Sequence, residues 1–195
     1  MSSMHPGGLR LTDRAARLAG ISPDMALLDI GCGDGASLEF LARKFGVAPY
    51  GIDISEKQIS AAAKRLRMAV FTVDNAAQVP YEDEFFDAVI CECVLSLVEN
   101  PMPVIREMRR VLRPDGTLIV SDVCGENDFR DIQTMFTDAG FDVTNLEEHK
   151  AALITYAAEA YVEGVIPSCF ATTIETMRTI YGSNTYYLMI CRRSD

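Results

Sequence analysis

The sequence contains no apolar run long enough to cross a bilayer, no CxxC pair, no internal repeat, no low-complexity tract and no surplus of basic residues. Each absence removes a class of function. A membrane-spanning helix needs about 20 consecutive apolar residues, so no membrane partner is expected. The stretch from Met1 to Gly8 lacks the charged-then-apolar order of a secretory leader, and no signal peptide is expected. The six cysteines, Cys32, Cys91, Cys93, Cys124, Cys169 and Cys191, have neither paired spacing nor secretory context. A disulfide framework is therefore disfavoured, and reduced thiols in a cytoplasmic protein are expected. Lysine and arginine total 18 against 28 for aspartate and glutamate, a formal net charge of −10. A nucleic-acid partner would need a basic face, so none is expected. At 195 residues, 49% hydrophobic and 24% charged, the chain has the composition of one globular domain with a sizeable core.

The most informative stretch runs Leu27-Leu28-Asp29-Ile30-Gly31-Cys32-Gly33-Asp34-Gly35. Ala26 to Ile30 reads as a buried strand. Leu38, Leu41, Ala42 and Phe45 then recur at helical spacing, with Gly46 as the stop. This is a strand, a glycine turn and a helix. Gly31 and Gly33 let the backbone turn tightly and approach a ligand, and the first N–H groups of the helix point toward it. The spacing is D-x-G-x-G-x-G rather than the G-x-G-x-x-G of dinucleotide-binding enzymes, which weighs against a nicotinamide oxidoreductase. Tyr50-Gly51-Ile52-Asp53 closes the next strand, and Asp53 lies 22 residues past Gly31. A carboxylate about 20 residues on is placed to accept both hydroxyls of a ribose.

Thr12 is expected to cap a first helix carrying Ala15, Ala16, Leu18 and Ala19 and ended by Gly20, with Gly7-Gly8 suited to a flap. After the strand Ala48–Asp53, Ser55-Glu56-Lys57-Gln58 forms a capping-box pattern opening a helix with Ile59, Ala62, Ala63 and Leu66 inward. Further strands are expected over 68–73, 84–91, 117–121, 141–146 and 185–191. A helix is expected to begin at Pro103 and another to be capped by Asp128, and Arg113-Pro114-Asp115-Gly116 reads as a turn. Alternation of strands and helices predicts an α/β fold with a mostly parallel sheet. Within 149–182, Leu153, Tyr156, Ala157, Ala160 and Tyr161 share one helical face, and Phe170, Ile174, Met177 and Tyr181 another, between Pro167 and Gly182. This reads as a helical hairpin at the carboxyl ends of the strands. It is expected to roof a site, with Tyr156 or Tyr161 lining a cavity; packing on the sheet edge is the competing reading.

The glycine turn resembles motif I of the class I S-adenosylmethionine (SAM) methyltransferases. Phe86-Asp87-Ala88-Val89, followed by Val94-Leu95-Ser96-Leu97-Val98, resembles motif IV, and Arg109 to Leu118 is similar to the R-x-L-K-P-G-G-x-L segment before the fifth strand. The likeness covers roughly residues 26–147 and is closest to the small-molecule enzymes of the ubiquinone/menaquinone-biosynthesis type (methyltransferase type 11). It implies a Rossmann-like, seven-stranded sheet in the order 3-2-1-4-5-7-6 with strand 7 antiparallel. The implied organisation is one domain: flap and helix over 1–25, core over 26–148, helical insertion over 149–182 and final strand over 183–195.

The resemblance also implies a cofactor, SAM, with S-adenosylhomocysteine as product, and a small-molecule acceptor. Gly31, Cys32, Gly33 and Gly35 would shape the loop under the methionine half, and Asp29 would meet the amino group or hold the turn. Asp53, followed by Ile54, would take the ribose. Asp74 and Asn75 compete for the adenine amine, since both side chains offer an accepting oxygen, and Ala76 would offer its N–H to a ring nitrogen. Cys91 would flank the methionine part through backbone atoms. Methyl transfer demands alignment and exclusion of water more than an obligate base. Where a base is needed, Glu92 and His149 are the candidates. Cys91, Cys93, Cys124 and Cys169 match no metal-ligand spacing, so no metal site is expected. An acceptor that is itself a thiol or metalloid, held by these cysteines, stays open. So does a binding module that holds the cofactor without turnover. The sequence leaves the acceptor and the oligomeric state undetermined.

Overall fold

The structure is a computed structural model that describes residues 5–125, 127–162 and 184–194. The expectations for Cys169, Phe170, Ile174, Met177 and Tyr181, and for the Tyr161 side chain, lie outside the described residues.

Seven strands form one sheet: β1 (Ala26–Ile30), β2 (Ala48–Asp53), β3 (Val70–Val73), β4 (Phe86–Glu92), β5 (Leu112–Gly125), β6 (Phe141–Glu148) and β7 (Asn184–Arg193). Their order is β3-β2-β1-β4-β5-β7-β6, as the resemblance implies. β7 runs antiparallel to both neighbours, and the pairs from β3 through β5 are parallel. Among the described residues, six α-helices accompany them: α1 (Gly8–Leu18), α2 (Ala36–Phe45), α3 (Glu56–Arg65), α4 (Met102–Val111), α5 (Phe129–Asp138) and α6 (Lys150–Val162). None of the described helices is long and apolar enough to cross a membrane.

Side chains alternate across the central strands and feed two cores. Ala88 and Ile90 of β4 join Leu11 and Ala15 of α1, Leu38 and Leu41 of α2, and Leu153 of α6 on one face. Val89 and Cys91 join Ile105 and Met108 of α4 and Phe136 of α5 on the other. Each buried Leu or Ile contributes about 1.5–3 kcal/mol, so the central strands hold helices on both faces by burial alone.

Local signals match locally. Ser55 caps α3, its hydroxyl accepting from Gln58 N at 3.4 Å, and Gly46 ends α2 at φ +72°. Three expectations need correction. Thr12 does not cap: α1 starts four residues earlier, behind Gly7 at φ +78°, and Thr12 is buried within the helix, its hydroxyl donating to Glu92. Arg113 to Gly116 does turn, but inside a strand. The β4–β5 register jumps from Phe86↔Leu112 to Ala88↔Thr117 across an irregularity with Asp115 at φ +61°. The strand then runs on to Gly125 because β7 pairs with it along that length. Asp128 stands at the start of α5, but its carboxylate turns back to accept Gly125 N at 3.1 Å.

Candidate functional site

The chain runs outward from β1 through β2 to β3 and then crosses back to place β4 on the other side of β1, so the connections on the two sides of β1 diverge and open a crevice at the carboxyl ends of these strands. A cavity of about 380 Å³ lies there. Its floor is the glycine turn. The N–H groups of Gly31 and Cys32 both donate to the Ile52 carbonyl, at 2.8 and 2.9 Å, tying the turn to β2. Gly33 N donates to Asp53 Oδ2 at 2.9 Å, and Asp53 Oδ1 accepts Ser55 N at 2.8 Å. Asp53 therefore braces both the glycine turn and the entry to α3 while facing the cavity. Gly31 sits at φ +74°, and a Cβ there would lie 2.2 Å from Val94 Cγ2, so glycine is demanded twice.

Ten of the residues singled out in the sequence meet at this cavity: Asp29, Gly31, Cys32, Gly33, Asp53, Ile54, Asp74, Asn75, Ala76 and Glu92. Asp74 Oδ1 accepts Asn75 N at 2.8 Å, and Asn75 Oδ1 accepts Ala77 N at 2.9 Å. The amide oxygen of Asn75 thus shapes its own loop, while Asp74 has a second carboxylate oxygen beyond this bond. Tyr156 of α6 lines the cavity as expected of a roof residue, yet α6 also packs into the core through Leu153 and Ala157.

Three expected residues stand elsewhere. Gly35, at φ +78°, starts α2 and faces α3: a Cβ there would meet Ala62 Cβ at 3.1 Å. It serves packing, not the cavity wall. Cys91 is fully buried among the α4-side core residues, and the wall is made by the next residues, Glu92, Cys93 and Val94. His149 is turned away from the cavity, with Nε2 3.1 Å from Glu147 Oε2. Arg14 donates to both oxygens of that carboxylate, at 2.8 and 2.7 Å. Glu147 is held down at about 2, chiefly by Arg14 and secondarily by His149.

The wall also contains His5 and Ser37, which sequence patterns did not single out, together with Gln58 of the capping box and Cys93. Glu92 is the hub. Its Oε1 accepts from Thr12 Oγ1 at 3.1 Å, its Oε2 accepts from Ser37 Oγ at 2.8 Å, and His5 Nε2 lies 3.3 Å from Oε2. No short-range pattern links these positions, which come from the leading segment, α1, α2 and β4. Burial raises Asp29 well above the usual carboxylate range, with further push from Glu92 and Asp53. Burial likewise raises the thiols of Cys32 and Cys91, and that of Cys124 to about 12. These cysteines are accordingly poor thiolates. Among the described residues, no group of three or more His, Cys, Asp or Glu is arranged to hold a metal ion.

A family described as Methyltransferase domain matches residues 28–120. The chain is 32% identical over 143 residues to Methyltransferase GfsG of Streptomyces halstedii, covering 68% of this chain and 51% of that protein. It is 40% identical over 119 residues to 27-O-demethylrifamycin SV methyltransferase of Amycolatopsis mediterranei, covering 58% of this chain and 44% of that protein. The chain thus spans about half the length of these curated relatives. In fold it is similar to a solved geranyl diphosphate methyltransferase in complex with SAM, with a TM-score of 0.78 at 18% identity, covering 95% of this chain and 85% of the other.

Proposed function

We propose that the chain is a class I S-adenosylmethionine-dependent methyltransferase that binds SAM in the cavity above β1, β2 and β4 and transfers the methyl group to a small-molecule acceptor. The carrying observation is Asp53. Its carboxylate ends β2, faces the cavity and is held rigidly by two backbone donors, Gly33 N and Ser55 N. A carboxylate so placed accepts the two hydroxyls of a ribose. The cavity is also the size of a small-ligand site, a class that runs from about 300 to 1,000 Å³.

The other walls suit the rest of the cofactor. Ile54 and Leu97 are apolar yet 76% and 52% exposed at the cavity, as expected of side chains that wait to cover an adenine ring. Asp74 is the better acceptor for the adenine amine, since the Asn75 oxygen is already engaged. The buried Asp29 beside the glycine turn would meet the ammonium of the methionine end, which also offsets its crowding by Glu92 and Asp53. Bound SAM supplies an electrophilic methyl group on a sulfonium. The chain supplies alignment and a dry site: Tyr156 of α6 roofs the cavity, and His5 of the leading segment lines its wall. A net charge of −10 opposes a nucleic-acid acceptor.

Isothermal titration with SAM tests this reading. Wild type binds, Asp53→Ala loses about 1.5–3 kcal/mol of binding free energy, and Asp53→Asn, which keeps one acceptor oxygen, loses less. Equal affinity in all three removes the ribose assignment, and a wild type that ignores SAM removes the proposal. Release of labelled methyl to an acceptor separates an enzyme from a module that only holds the cofactor.

A further inference from the structure

Two consecutive residues of β5 grip the segment that follows β4. The Ser121 carbonyl accepts Cys93 N at 2.8 Å, and Asp122 Oδ2 accepts Ser96 N at 3.0 Å. Between these two bonds lies Val94, whose Cγ2 is the atom nearest a Cβ built on Gly31. The short helical turn Leu95–Leu97 follows at once. Val94, Leu97 and Val98 all line the cavity, and Leu97 stands half-exposed there.

Both ends of this grip carry a cost. Cys93 has φ +56°, a left-handed conformation that strains any residue but glycine. Such strain persists only where the surrounding structure over-determines it, and it clusters at ligand sites. Asp122 is 1% exposed. Strand alternation puts it on the face of Leu118 and Val120, which belong to the α4-side core. An apolar side chain would continue that row without desolvating a carboxylate. Burial pushes the Asp122 carboxyl up, and hydrogen bonds from Ser96, Val123 and Leu95 pull it back. Val123 N donates to Oδ1 at 2.7 Å. What the carboxylate adds over an apolar residue is direction: hydrogen bonds fix N–H groups in space, whereas burial has no preferred angle.

Resting on the methyltransferase reading, we propose that Asp122 is a positioning residue of the cofactor site. It is not among the residues lining the cavity and acts through the segment 93–97. By holding Ser96 N it keeps Val94 pressed on the glycine turn and Leu97 standing at the adenine wall before SAM arrives. The wall is then ordered in advance, and binding does not have to order it.

The test titrates SAM into the full chain by calorimetry. Asp122→Asn keeps the shape and replaces one accepting oxygen with a donor. It is expected to weaken SAM binding by roughly 10-fold, the worth of one hydrogen bond to a charged group. In a Leu97→Ala background the same change is expected to cost about 2-fold or less, because its effect runs through that side chain. Hydrogen exchange followed by NMR is expected to speed up at the Ser96 and Leu97 amides of Asp122→Asn, while Leu28 and Ile30 of β1 keep wild-type protection. Ser96→Pro deletes the same bond from an exposed position and is expected to reproduce the loss of affinity, so the outcome does not hang on the buried variant folding. Unchanged SAM affinity in either variant overturns the positioning role. So do equal losses with and without Leu97, or exchange that rises equally in β1. A wild type that does not bind SAM overturns the methyltransferase reading, and this inference with it.

Discussion

Replacing Gly31 by alanine separates the two physical demands that the glycine turn makes on its first residue. Gly31 has φ +74°, and an ideal Cβ there would lie 2.2 Å from Val94 Cγ2 and 3.5 Å from Val94 Cβ. The left-handed backbone costs an L-residue about 1–2 kcal/mol. The overlap forces Val94 or the turn to move and costs about 1–3 kcal/mol more, the usual range for overpacking. Gly31→Ala is therefore expected to destabilise the fold by about 2–5 kcal/mol, read from equilibrium urea unfolding. Val94→Ala removes Cγ2 and leaves an ordinary 3.5 Å contact with the new methyl group. In a double-mutant cycle the second substitution should return the steric part and leave the backbone part, a coupling of about 1–3 kcal/mol. A Gly31→Ala protein as stable as wild type would refute the torsional argument. A double mutant that recovers nothing would refute the steric one.

Two further predictions follow from α6 and its approach. The Glu147 carboxylate is held at about 2 by Arg14 and His149, against an ordinary value of 4.5, so it binds its proton more weakly folded than unfolded. Its contribution is fully present above pH 4.5 and is lost as pH falls toward 2. The melting-temperature gap between wild type and Glu147→Gln should close over that interval, and a gap that stays constant through it would show that the carboxylate does not stabilise the fold. Leu153 is 2% exposed within the core that includes Leu188 and Ile190. Leu153→Ala should cost about 2–5 kcal/mol in urea unfolding; an unchanged midpoint would make α6 a loosely docked cover and not part of the core.

Much of the site was legible because its requirements are local. A strand running into a tight turn needs apolar residues followed by glycine, and Ala26–Ile30 and Gly31 supply them within a few positions. Ser55 and Gln58 carry their cap within one helical turn. Asp53 was readable by its distance from Gly31, since the length of one βαβ unit fixes how far along the chain the neighbouring strand ends. The strand order was reached through family resemblance, because hydrophobic periodicity does not say which strands are neighbours.

Other features answer to partners far away in the chain. Gly35 fits the same glycine spacing as Gly31, but in the fold it meets Ala62 of α3 rather than the cavity. Cys91 and Glu92 are adjacent in sequence, yet strand alternation sends one into the α4-side core and the other to the cavity wall. His149 has the chemistry of a base, but Arg14 and Glu147 engage its surroundings away from the cavity.

By itself, then, the sequence determined the strand–turn–helix units, their caps and the acid at the end of β2, since backbone torsion, capping and burial periodicity are satisfied by residues a few positions apart. Only the tertiary structure decided that His5, Thr12 and Ser37 converge on Glu92, because a buried carboxylate takes its donors from whichever elements the sheet and its crossovers bring to it.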